Sequence, residues 1–134
     1  MSVTQITGGT ALVRAALASA LASLVGTFEG QPKAYWLQAP ELAPLPLLVY
    51  FPQDGGGRDE SFLNGAGWSG LFTIKALAAT PAAADTLLAT VPAALAGLSV
   101  PGYQVTVLFI RNLILPPADF VYQAGLTYQI ELYA

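Results

Sequence analysis

The sequence predicts an α+β domain of two layers, with two helices packed on a mainly antiparallel sheet of about five strands. Three observations predict it: an amphipathic helical period near the start, a second one after a Thr-Pro pair, and two long strand patterns at the end. The predicted order is α-β-β-β-α-β-β. A length of 134 residues suits one domain, so we expect residues 1–134 to form a single α+β domain.

Residues 10–25 are predicted to form the first helix. Val13, Leu17, Leu21 and Leu24 recur at helical spacing and would form one apolar face. Thr10 is of a type that caps helix starts, and Gly26 follows where a left-handed residue is favoured.

Three extended segments follow. Residues 33–37 lie between two prolines, and residues 47–51 form an apolar run typical of a buried strand. Residues 68–76 alternate between apolar and polar side chains, as in a strand with one buried face.

The second helix is predicted to begin at Thr80-Pro81, a cap residue followed by proline at the first helical position. Its apolar face continues to Leu98. Because Pro92 lies inside this pattern, we expect a kink or two short helices.

The last two strands are predicted at residues 104–115 and 121–133. In the second, the apolar and aromatic side chains from Tyr122 to Leu132 alternate with a face that carries Gln123, Thr127, Gln129 and Glu131. A short Pro-rich connection predicts that the two strands form an antiparallel hairpin.

Residues 53–67 stand out by their composition, with five glycines and four charged residues. This segment is predicted to be a long Gly-rich loop. Loops of about 15 residues are uncommon in compact domains and often carry function. We therefore expect this loop to contact a partner.

Composition argues against catalysis. The chain has no histidine and no cysteine, which removes the commonest general base and all thiolate chemistry. Gly55–Gly57 precede Arg58-Asp59-Glu60, whereas a phosphate loop needs GxxxxGK[ST]. Asp54, Asp59 and Glu60 are better explained as an acidic loop than as a cation site. No enzyme activity, catalytic residue, cofactor or metal site is predicted.

Charge and hydropathy favour partners made of protein. The five basic residues are scattered singly, so no nucleic-acid patch is predicted. Only 10% of residues are charged and 54% are hydrophobic, which favours burial against partners unless the alanines account for it. Residues 15–28 are too few to span a membrane, for which about 20 are needed, and no signal peptide is evident. A soluble protein without membrane contact is expected.

The layout resembles the tail terminator (tail completion) proteins of long-tailed bacteriophages. The resemblance is carried by residues 82–97 with Leu98-Ser99-Val100, by residues 105–111, and by residues 122–131, YQAGLTYQIE. It spans nearly the whole chain through the order and pattern of elements. Residues 53–67 match nothing in that family.

The resemblance implies a virion protein of the tail's head-proximal end, assembled in the host cytoplasm. Such proteins form a hexameric ring that caps the tail tube protein, stops its polymerisation and docks the head–tail connector protein. DNA passes through the lumen without specific binding. A ring of this kind needs two different surfaces on each subunit.

Eight residues are expected to contact a neighbouring subunit or another partner: Asp54, Arg58, Asp59, Glu60, Phe62, Asn64, Glu131 and Tyr133. The alternatives are another head–tail joining protein, a tail-tube subunit that stacks into filaments, or, from a different class, a small-molecule binder or enzyme. The last would need a pocket with converging polar groups.

Overall fold

The structure, a computed structural model, describes residues 8–53, 58–62, 65–118 and 121–133. Its helices are α1 (Gly9–Ala22), α2 (Pro81–Leu88) and α3 (Val91–Ala96). Its strands are β1 (Thr27–Phe28), β2 (Gln31–Pro32), β3 (Ala34–Trp36), β4 (Leu47–Pro52), β5 (Arg58–Phe62), β6 (Gly65–Ala78), β7 (Gln104–Ala118) and β8 (Val121–Tyr133).

The main sheet has the order β3-β4-β6-β8-β7, and β5 pairs with β6 beyond the end of β4. All its pairings are antiparallel except β3 with β4. β1 and β2 form a separate two-stranded hairpin that the sequence did not predict. The predicted α+β class, with helices on a mainly antiparallel sheet, is confirmed.

The core lies between the helices and one face of the sheet. Alternate residues of the two central strands are buried there, including Phe72 and Ile74 of β6 and Ile130 and Leu132 of β8. They face Leu17 of α1, which is also fully buried. The alternation in the last strand therefore predicted the buried face correctly.

α1 begins at Gly9, one residue earlier than predicted, and its first turn packs against the sheet. Its N-cap is Gly8 at φ 68°, so the prediction that Thr10 caps the helix is wrong. Gly9 lies against the indole ring of Trp68, and a Cβ at this position would overlap that ring. Glycine thus permits the first turn to pack directly on β6.

The helical segment after β6 divides as expected. The Thr80 hydroxyl oxygen accepts a hydrogen bond from the Ala83 amide at 3.1 Å, which caps α2. The chain then forms two short helices, with Pro92 in the first turn of α3. Of the helices in the described part of the chain, none is long and apolar enough to cross a bilayer.

The long loop predicted at residues 53–67 needs correction. Residues 58–62 form β5, and β6 begins at Gly65, so much of this segment is a strand pairing rather than a loop. The backbone of β5 is hydrogen-bonded to β6, a pairing that the local sequence does not predict. Residues 54–57 and 63–64 lie outside the described residues.

Candidate assembly surface

The side of the sheet formed by β7 is open. β7 is 15 residues long and pairs only with β8 within the described residues. Its other side presents a row of backbone N–H and C=O groups without a strand partner. Long apolar strand edges of this kind readily add another strand.

Apolar side chains are exposed along β7. Ile114 is 91% exposed, Phe109 is 55% exposed, and Leu108 and Ile110 are also exposed. Ile110 lies at a register shift against β8, between Phe109 and Arg111. Because burying one such side chain contributes about 1.5–3 kcal/mol, covering this edge would strongly favour association.

A groove of about 440 Å³ runs beside β7 on the helix side of the sheet. One wall is α3, through Pro92 and Leu95, and the other is β7, through Phe109 and Asn112. Tyr128 of β8 lies on its floor and packs edge-on against Phe109 at 5.7 Å between ring centres. The groove and the strand edge therefore form one continuous apolar surface.

A chain of hydrogen bonds crosses the opposite face of the sheet. Arg111 Nη2 donates to Gln53 Oε1 at 3.1 Å, and Gln53 Nε2 donates to Thr73 Oγ1 at 2.7 Å. The hydroxyls of Thr73 and Thr127 are 3.0 Å apart, and both side chains are fully buried. Since a guanidinium group only donates, it fixes which way the Gln53 amide points. These hydrogen bonds connect β7 to Gln53, the residue that follows β4.

Burial raises the pKa of two tyrosines above the usual 10.0. For Tyr128 the cause is burial, and for Tyr50 burial outweighs the opposing effect of the Arg14 guanidinium. Both hydroxyls therefore stay neutral through the physiological range, and the groove floor carries no charge.

The predicted contact residues fall into three groups. Arg58, Asp59, Glu60 and Phe62 lie on β5, paired with the start of β6. Glu131 and Tyr133 lie at the end of β8, where the Tyr133 hydroxyl donates to Glu131 Oε2 at 3.0 Å. Asp54 and Asn64 lie outside the described residues.

The strand register places residues of the first two groups, on β5 and β8, opposite the same residues of β6. Arg58 pairs with Ser69, which pairs with Glu131. Likewise Glu60 pairs with Gly67, which pairs with Tyr133. The contact role of these residues stays a prediction.

Sequence reasoning missed the open strand itself. Residues 104–115 were predicted as a strand, but no position at the edge of the sheet was predicted for it. The available signal was three consecutive apolar residues, Leu108, Phe109 and Ile110, which place apolar side chains on both faces of a strand. Such a run is typical of a strand covered on both faces, but here all three side chains are exposed.

Within the described residues, no three His, Cys, Asp or Glu side chains lie close enough to hold a metal ion. A second hollow of about 450 Å³, on the face opposite the helices, is lined by the segment between β3 and β4 and by Lys75. There Lys75 Nζ donates to Gln123 Oε1 at 3.1 Å and lies over the Phe51 ring.

Comparison with known proteins yields a structural likeness. No protein-family model matches the chain, and no curated protein matches it. The fold is similar to that of a chain solved in the virion of a native gene transfer agent particle, with a TM-score of 0.65 and 24% sequence identity. The match covers 94% of this chain and 95% of the other. At this identity, the likeness shows a shared fold.

Proposed function

We propose that this chain is a structural virion protein that acts by assembly and contact, not by catalysis. Its specific role is that of a tail terminator, a ring that caps a finished phage-type tail tube. The observation that carries the proposal is the open, apolar strand β7, which is 15 residues long. A strand edge of this length and exposure is an association surface.

The structural neighbour supports a place in a virion. That neighbour is a chain of a gene transfer agent particle, and the likeness extends over 94% of this chain. Shared fold alone does not define a role, so the proposal also depends on the order of elements that resembles tail terminators.

In this proposal, six copies form a closed ring on the last ring of the tube. Each copy uses two different surfaces toward its two neighbours, because a head-to-tail contact closes a ring. One face of the ring covers the tube end and stops growth, and the other docks the head connector. A net charge of −3 suits a lumen that lets DNA pass without holding it.

The test is a tube-growth assay. Purified tube subunits are polymerised with and without this protein, and tube lengths are measured by electron microscopy. We expect tubes to stop growing and to carry one extra ring at a single end. Incorporation along the tube would indicate a tube subunit, and unchanged growth without bound rings would contradict the proposal.

A further inference from the structure

A second open strand lies on the other side of the sheet. β5 pairs with β6 on one side, and within the described residues no strand pairs with its other side. Since β8 and β7 lie on the opposite side of β6, the open sides of β5 and β7 face in opposite directions across the sheet.

We propose that β5 of one copy pairs with β7 of the next, which joins the sheets of neighbouring subunits. This inference rests on the proposed ring function and names its contact. Two unlike edges on opposite sides of a subunit form the head-to-tail contact that closes into a ring. Pairing of β7 with a second β7 would instead stop at a dimer.

Strand direction also favours this pairing. β7 is antiparallel to β8, β8 to β6, and β6 to β5, so β5 and β7 run in opposite directions within one copy. A rotation about an axis roughly along the strands preserves these directions. The β5 strand of the neighbour therefore meets β7 in antiparallel orientation, which is the more stable kind of pairing.

Charge complementarity selects β5 over the other available edge. Arg111 is the single charged residue of β7, whereas β5 has the sequence RDESF, with Asp59 and Glu60 giving it a net negative charge. The competing edge, β3, has three residues and no charge. Placing Arg111 beside Asp59 and Glu60 sets Asn112 opposite Arg58 or Asp59.

Disulfide trapping tests this contact directly, because the natural chain has no cysteine. Asn112→Cys is combined in turn with Arg58→Cys and with Asp59→Cys. Within one copy β5 and β7 are separated by β6 and β8, so their spacing is roughly 14 Å. A disulfide requires Cα atoms within roughly 7 Å, and any bond formed therefore joins two copies.

Two matched controls accompany these pairs. Asn112→Cys alone reports pairing of β7 with β7. Asn112→Cys with Gln38→Cys, an exposed residue just after β3, reports pairing at the competing edge. Native mass spectrometry of each reduced variant reports whether the ring forms.

We expect a covalent ladder from dimer to hexamer only with the β5 pairs, after mild oxidation and non-reducing electrophoresis. If the ring forms but only the control variants cross-link, the proposed contact between β5 and β7 is wrong and the proposed ring function is unaffected. A protein that forms no ring would overturn both the proposed function and this inference.

Charge reversal gives an independent readout. Arg111→Glu should weaken association about tenfold or more, and the added pair Asp59→Arg and Glu60→Arg should restore it. Gln53→Ala is the control, because it removes the hydrogen bond from Arg111 within the chain and keeps the charge. Loss of association without rescue would contradict the proposed pairing.

Discussion

Replacing Ile114 by threonine should separate assembly from folding. Ile114 is 91% exposed on the open strand, so almost all of its apolar surface is available to a partner. Threonine keeps the β-branched shape but has a hydroxyl in place of the ethyl branch of isoleucine. We expect each subunit contact to lose about 2 kcal/mol, which is roughly a 30-fold weaker association.

The folding stability of the Ile114→Thr monomer should change little. Substitutions at exposed positions usually alter the free energy of unfolding by less than about 0.5 kcal/mol. Leu42→Thr is the matched control, because Leu42 is 83% exposed but lies far from β7 in sequence, between β3 and β4. It should leave both folding and association unchanged.

The assay is sedimentation velocity over a dilution series, with urea unfolding of each variant measured alongside. The expected result is a shift of the assembly midpoint to higher concentration for Ile114→Thr alone. Assembly equal to that of the natural chain would refute the role of β7. A large loss of folding stability would refute the claim that Ile114 is free of the core.

Three further predictions concern stability, measured by chemical or thermal unfolding. Gly9→Ala should destabilise the fold by about 1–3 kcal/mol, because the new Cβ overlaps the Trp68 ring, and an unchanged unfolding midpoint would contradict that packing. Tyr35→Phe should stabilise the fold or leave it unchanged, because the Tyr35 hydroxyl is buried and has no hydrogen-bond partner among the described residues, at a cost of about 1–3 kcal/mol; a marked loss would reveal a partner. Stability should fall as pH rises above 10.0, because the raised pKa of Tyr128 keeps it neutral in the folded state while the unfolded state ionises. Tyr128→Phe should reduce that fall, and an identical pH profile would contradict the assignment.

Much of the fold could be predicted from local signals. The alternation in β8 identified its buried face, and the Thr80-Pro81 pair located the start of α2. Pro92 predicted the division into α2 and α3. Each of these signals depends on a few neighbouring residues, and tertiary contacts agree with them.

The failures share one physical cause. β5 is a strand because β6 lies beside it, and the polar, glycine-flanked sequence RDESF carries no strand pattern of its own. The N-cap shifted from Thr10 to Gly8 because Gly9 packs on Trp68, 59 positions later in the chain. The exposure of β7 likewise depends on which strands lie beside it. Such features are determined by contacts with residues distant in sequence, and these contacts override the local secondary-structure propensity.

The candidate surface was predictable only in part. The charged residues of β5 were expected to contact a partner, and they lie on an open strand. The apolar half of the proposed contact, on β7, was assigned to a strand but not to a surface. Strand order is needed to recognise that these two segments occupy opposite sides of the sheet.

The most direct test of the central claim is native mass spectrometry of the purified protein over a range of concentrations. The account predicts a closed hexamer without larger species, because closing the ring pairs both open strands, β5 and β7, of every subunit. A monomer at every concentration, a dimer, or filaments that lengthen with concentration would contradict it.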